Sequence, residues 1–148
     1  MKLNEAVNRA ARIKYSDIVI GAVYSFEKEI AEQDVAGFAQ LTGDFNPLHV
    51  DKDFGKKSQF EKNIVHGMLL GSLFSTLIGM FCPGEKGLYI SQNLNFKLPV
   101  FYGDVIKVKG TVVNKNDSIK LLTIKTEILK LDKVMVTGEA KVKVVNDE

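Results

Sequence analysis

The sequence predicts an α+β fold in which an antiparallel sheet wraps around one long buried helix. Three observations carry this. Residues Ile64 to Phe81 are mostly apolar all round a helical wheel, as in a helix enclosed by protein. From Leu88 to Val145 the chain is a series of strand-length runs rich in Val, Ile and Thr, separated by turn signals. Between an earlier helix and the buried one stands Leu41-Thr42-Gly43-Asp44-Phe45-Asn46-Pro47-Leu48-His49, a segment that no regular helix contains.

Composition narrows the class. With 148 residues the chain is long enough for one domain with a real core. Hydrophobic content of 45% and charged content of 26% are ordinary for a globular protein. A net charge of +2, scattered basic residues and the absence of Trp argue against nucleic acid as a partner. Cys82 is the only cysteine, so the chain has no intramolecular disulfide and no thiolate cluster for zinc. That favours a reducing compartment, with Cys82 itself read as a small buried hydrophobe. After Met1-Lys2 no apolar stretch forms before Asn4, Glu5, Arg9 and Arg12, so a secretory signal is not expected and the location is expected to be cytoplasmic.

In chain order, residues 1–18 read as an N-terminal extension, with weak helical spacing at Leu3, Ala6, Val7, Ala10 and Ala11. Residues 19–148 form the single domain. Gly21 to Ile30 predicts a strand. The first full helix runs over Glu32 to Thr42, with Val35, Phe38, Ala39 and Thr42 inward and Glu32 and Asp34 at its positive end. Ala31 stands where a capping Ser or Thr is usual. Residues 50–63 are polar and charged, a solvated excursion with a short helix around Asp51 to Lys57.

Ile64 to Phe81 is shorter than about twenty uniformly apolar residues and contains Ser72, Ser75 and Thr76, so it reads as a buried helix rather than a membrane span. Small residues at Gly71, Ser72, Ser75 and Gly79 allow a sheet or another chain to approach it. Strands follow at Leu88–Phe96, Asp104–Asn114, Ile119–Leu131 and Lys133–Val145, with Leu131-Asp132-Lys133 as a tight hairpin. Lysines at 107, 109, 120, 125 and 130 alternate with apolar residues, which makes one sheet face wet.

The chemistry concentrates in the Gly43–His49 turn. Gly43 opens left-handed backbone angles, Pro47 fixes its own φ, and Asn and Asp supply local turn bonds. Such a turn aims Asp44 and His49 at one point, and a carboxylate with an imidazole at one point suits proton transfer. The same residue types also make up ordinary surface loops.

These residues resemble the MaoC-like (R)-specific enoyl-CoA hydratases, also called hydratase 2. The resemblance covers about Ile20 to Val145. Thr42 to His49 is similar to the hydratase 2 motif. Ile64-Val65-His66-Gly67-Met68-Leu69-Leu70 is similar to the segment that opens the family's central helix. Leu94-Asn95-Phe96-Lys97-Leu98-Pro99-Val100 with Gly103-Asp104 looks like its strand-and-turn signature. The resemblance implies a hotdog fold and the addition of water to a trans-2-enoyl thioester.

It assigns Asp44 as base for the water and His49 as its partner. Gly67 is read as oxyanion donor through its backbone N–H at the helix start. Asn46 is expected to brace the turn. Ser75 matches a family position near the active site. His66 is read as part of the helix start. No cofactor and no metal are implied, coenzyme A being part of the substrate; Asp44, His49 and His66 nonetheless make up a donor set that a metal accepts. The family motif has Ala or Ser where this chain has Gly55. Leu70, Phe74, Ile78 and Val100 are candidates for the acyl pocket, and a homodimer or higher homo-oligomer is expected. Rival readings are a 3-hydroxyacyl-carrier-protein dehydratase, a hotdog thioesterase, and a non-catalytic acyl-thioester-binding module.

Overall fold

The computed structural model describes residues 3–147; Met1, Lys2 and Glu148, the outermost residues of the two ends, lie outside the described residues. The sheet has five strands: β1 (Val23–Glu29), β2 (Gly87–Phe96), β3 (Val105–Asn116), β4 (Leu121–Lys130) and β5 (Lys133–Val144). Every pairing is antiparallel, and the order across the sheet is β1-β3-β4-β5-β2. Among the described residues five α-helices accompany it: α1 (Leu3–Val7), α2 (Glu32–Thr42), α3 (Pro47–Val50), α4 (Lys52–Lys57) and α5 (Gly67–Thr76), with a 3-10 turn over Tyr15–Asp17. A π-helical turn over Leu77–Phe81 continues α5. The expected α+β arrangement is what forms.

Alternation along the strands builds the core. Val108, Ile128 and Val136 face α5 and pack with its Leu70 and Phe74, and with Leu77 beyond it, in one cluster that also holds Ile30, Val35 and Val100. Full burial of side chains of this size stabilises by about 1.5–3 kcal/mol each. A second cluster, around Ile78, Leu122, Ile124 and Val142, takes in Tyr15 and Ile18 from the extension. The opposite sheet face is charged, with Glu127 held between Lys109 and Lys125 at 3.8 and 3.2 Å.

Helix α5 differs from the expectation in two respects. It begins at Gly67, because Ile64 and Val65 run extended and bond to the segment Val100–Phe101. It is also not enclosed all round, since Met68, Ser72, Ser75 and Thr76 form an exposed stripe. Helix α2 has the expected bounds, though Thr42 is exposed rather than inward. The cap that Ala31 lacks is supplied in reverse: the Asp34 carboxylate accepts the Ala31 N–H at 2.9 Å. Among the described residues, no helix is long and apolar enough to cross a membrane.

Candidate active site

The site begins where α2 stops. Gly43 has φ +80°, a left-handed conformation, and its N–H closes on the Ala39 carbonyl. A ladder of short bonds then shapes the turn. The Asp44 N–H donates to Thr42 Oγ1 at 3.3 Å, and the Asn46 N–H donates to Asp44 Oδ1 at 3.1 Å. Asn46 Oδ1 in turn accepts the Leu48 N–H at 3.0 Å and so caps α3, with Pro47 in its first turn. Asn46 thus braces the turn through backbone groups and stands in solvent itself.

Helix α3 brings His49 back against the strand-like segment before α5. Its Nδ1 lies 2.8 Å from the Ile64 carbonyl. A carbonyl only accepts, so Nδ1 carries the hydrogen and Nε2 presents a lone pair. The backbone of α3 is held from two further sides. Tyr102 Oη donates to the His49 carbonyl. Burial, with the Glu32 carboxylate second, pushes that phenol up, which keeps it a donor. The buried Asn63 amide donates to the Pro47, Leu48 and Asp51 carbonyls at 3.3, 2.9 and 2.8 Å.

Gly55 fits closely against that residue. A Cβ at position 55 would lie 2.7 Å from the Asn63 backbone nitrogen. The glycine therefore matters more to the packing of α4 than its small size suggests.

His66 stands at the helix start as expected, as the N-cap residue of α5 whose carbonyl accepts the Leu70 N–H at 3.3 Å. Its side chain makes no capping bond and turns to the site instead. Its buried ring lies 4.0 Å, centroid to centroid, from the His49 ring, and its Nε2 is 3.0 Å from the Asp44 carbonyl oxygen. One ligand-capable atom from each of Asp44, His49 and His66 lies within 4.8 Å of the other two. In this arrangement His49 Nδ1 and His66 Nε2 are engaged with carbonyls and Asp44 Oδ1 with the Asn46 N–H, leaving lone pairs at His49 Nε2, Asp44 Oδ2 and the buried His66 Nδ1.

These groups form one wall of a cavity of about 450 Å³. Gly67 lies beside them; as the first residue of α5 its N–H has no intrahelical acceptor. A Cβ on Gly67 would come within 2.9 Å of the Phe96 ring, so the glycine keeps this corner open. The rest of the wall is mostly apolar, from residues such as Phe60, Leu70, Phe96, Leu98, Val100 and Val136, with Lys97 as its one charged member. Of the four pocket candidates, Leu70 and Val100 line this cavity, while Phe74 and Ile78 are buried in the two core clusters. Ser75 lies on the exposed stripe of α5 and does not line it. Phe60 and Val136 are lining residues that nothing in the sequence marked. His66 was marked as a helix-start residue and as a member of a donor set with Asp44 and His49, and Phe96 as part of the strand-and-turn signature, but neither as a wall of the cavity.

The match to the MaoC like domain family spans residues 17–144. This chain belongs to the MaoC-like domain family. It is 43% identical to an (R)-specific enoyl-CoA hydratase of Aeromonas caviae over 84% of this chain and 93% of that enzyme. It is 37% identical to a 3-hydroxybutyryl-CoA dehydratase of Methylorubrum extorquens over 90% of this chain and 85% of that one. Among solved structures it is similar to an R-hydratase from Pseudomonas aeruginosa, with a TM-score of 0.87 and 34% identity over 92% and 88% of the two chains. The MaoC-like fold of these relatives is the hotdog architecture expected from the sequence.

Proposed function

We propose that this MaoC-like chain is an (R)-specific enoyl-CoA hydratase. It adds water reversibly to a trans-2-enoyl-CoA to give the (R)-3-hydroxyacyl-CoA, a reaction of fatty acid metabolism. The observation that carries the reading is the convergence of Asp44, His49 and the Gly67 end of α5 on the wall of one apolar cavity. Identity to a hydratase over most of both chains supports it.

The geometry divides the work. Water attacks C3 and must lose a proton as it does so; the Asp44 carboxylate is the base. The Nε2 lone pair of His49 accepts a hydrogen bond from the same water and so fixes its approach. Charge that builds on the thioester oxygen is met by the Gly67 N–H. One proton leaves water and one arrives at C2, so the reaction balances without a cofactor or co-reactant. The apolar wall holds the acyl chain near the dyad.

A homodimer and a cytoplasmic setting complete the proposal. The two sheet edges differ: β1 carries Glu27, Lys28 and Glu29, whereas β2 has no charged residue and exposes Leu88 and Ile90. Charge on an edge strand resists pairing, and an uncharged apolar edge invites it, so β2 is the edge that meets a second copy.

Crotonyl-CoA is the test substrate, with enone absorbance and free thiol followed together. Loss of the enone without thiol release is expected. Thiol release would make the chain a thioesterase, and no change would point to a binding module or to a different acyl substrate. Crotonyl groups on coenzyme A and on acyl carrier protein, compared at equal concentration, separate the hydratase from the carrier-protein dehydratase; faster turnover on coenzyme A is expected.

A further inference from the structure

We propose that His66 is a positioning residue for both members of the dyad, clamping the Asp44 backbone with its Nε2–H and supporting His49 with the face of its ring. The inference rests on the hydratase reading and extends it to a residue outside the motif. His66 is 2% exposed. Its ring is wedged between Phe38 of α2, at 4.9 Å, and His49 of α3, at 4.0 Å, between ring centroids.

The hydrogen bonds define what the ring does. The partner of Nε2 is a carbonyl oxygen, so Nε2 carries the hydrogen and Nδ1 is a bare lone pair. That Nδ1 is buried and has no hydrogen-bond partner. An unpartnered buried acceptor is unfavourable, and a phenylalanine would fill the same space without it. What a histidine supplies here, and an apolar ring does not, is the one N–H directed at the 43–46 turn. The Asp44 carboxylate lies 3.8 Å from the same nitrogen, so the bond is to the backbone rather than to the side chain.

The consequence reaches the reacting atoms through Asp44. Its side chain is 51% exposed, and its Oδ1 is held by the Asn46 N–H. The position of the carboxylate therefore follows the position of the Asp44 backbone. His66 also immediately precedes Gly67, so its clamp sets the separation between the base and the oxyanion donor. A misplacement of about 1 Å in such a pair lowers the rate by about 10²-fold.

The test compares His66→Phe, which keeps a ring and removes the N–H, with His66→Gln, whose amide nitrogen reaches the place of Nε2. His66→Phe is expected to lower kcat by about 10²-fold with KM within about threefold, and His66→Gln to recover at least about tenfold of that loss. Wild-type kcat in the phenylalanine variant, or equal loss in both variants, would overturn the proposal. Imidazole nitrogen NMR on the wild-type chain gives a readout that needs no variant to fold. With only two histidines, both tautomers are assignable; Nε2–H at His66 and Nδ1–H at His49 are expected, and Nδ1–H at His66 overturns the clamp. A wild-type chain inert toward crotonyl-CoA would instead overturn the hydratase reading, with the tautomers still deciding the clamp.

Discussion

Asp44 is a half-exposed carboxylate set in place by main-chain groups, and His49 is an imidazole whose tautomer is fixed by one carbonyl. Replacing Asp44 by Asn keeps both shape and the turn, because Asn Oδ1 still accepts the Asn46 N–H. The loss should therefore be purely chemical. We expect Asp44→Asn to reduce hydration by about 10²–10⁴-fold, the range for removing a general base, with an unchanged thermal midpoint. A stable variant with wild-type turnover would show that the carboxylate is not the base.

What the sequence made legible at this scale was the pair Asp44 and His49, since both lie in one short turn whose residues restrict it. His66 could be grouped with the pair as a donor, but its contact was not legible, because its partner is a backbone carbonyl 22 residues earlier and only the fold brings them together. The apolar wall was partly legible for a similar reason. Leu70 and Val100 could be guessed from proximity to the motifs, whereas Phe60 and Val136 reach the cavity only through tertiary packing.

Among the elements, α2 and the start of α5 do the positioning. Helix α2 delivers Asp44 because Gly43 turns the chain at once, and its bounds were readable from Gly43 at one end and Glu32 and Asp34 at the other. Nothing lies within 4 Å of a Cβ built on Gly43, so its only constraint is the left-handed backbone. Gly43→Ala should then cost roughly 1–2 kcal/mol of unfolding free energy, measured by urea denaturation, and Gly43→Asn less. An alanine variant as stable as the wild type would show that the turn relaxes without the glycine. The exposed stripe on α5 was the element-scale surprise. A nearly all-apolar helix reads as enclosed, and its composition did not reveal that the face of Met68, Ser72, Ser75 and Thr76 is exposed.

At the scale of the whole molecule, the uncharged β2 edge predicts a dimer. Sedimentation should give twice the 16.4 kDa chain mass, and Leu88→Lys with Ile90→Lys should return it to that of one chain. A dimer that survives both lysines would place the interface elsewhere.

Buried Tyr15 and Cys82, with the partly buried Tyr24 and Tyr89, set an alkaline limit on stability. Burial pushes Tyr15, Tyr24 and Tyr89 from 10.0 up to about 12, and Cys82 from 9.0 up to about 11. The unfolded chain gives up these protons at the ordinary values while the folded chain keeps them. Stability from these groups is thus intact below pH 9.0 and is lost as pH rises toward about 12. The thermal midpoint should fall across that window, and a flat profile there would mean that these groups are not shielded on folding.

The central claim is hydration by this dyad with one stereochemical outcome, and the product's configuration tests it most directly. Crotonyl-CoA incubated with the chain, then offered separately to dehydrogenases specific for (R)- and (S)-3-hydroxyacyl-CoA, should be oxidised only by the first, and not after Asp44→Asn. Oxidation by the (S)-specific enzyme, or an undiminished (R) signal from the variant, would contradict the account.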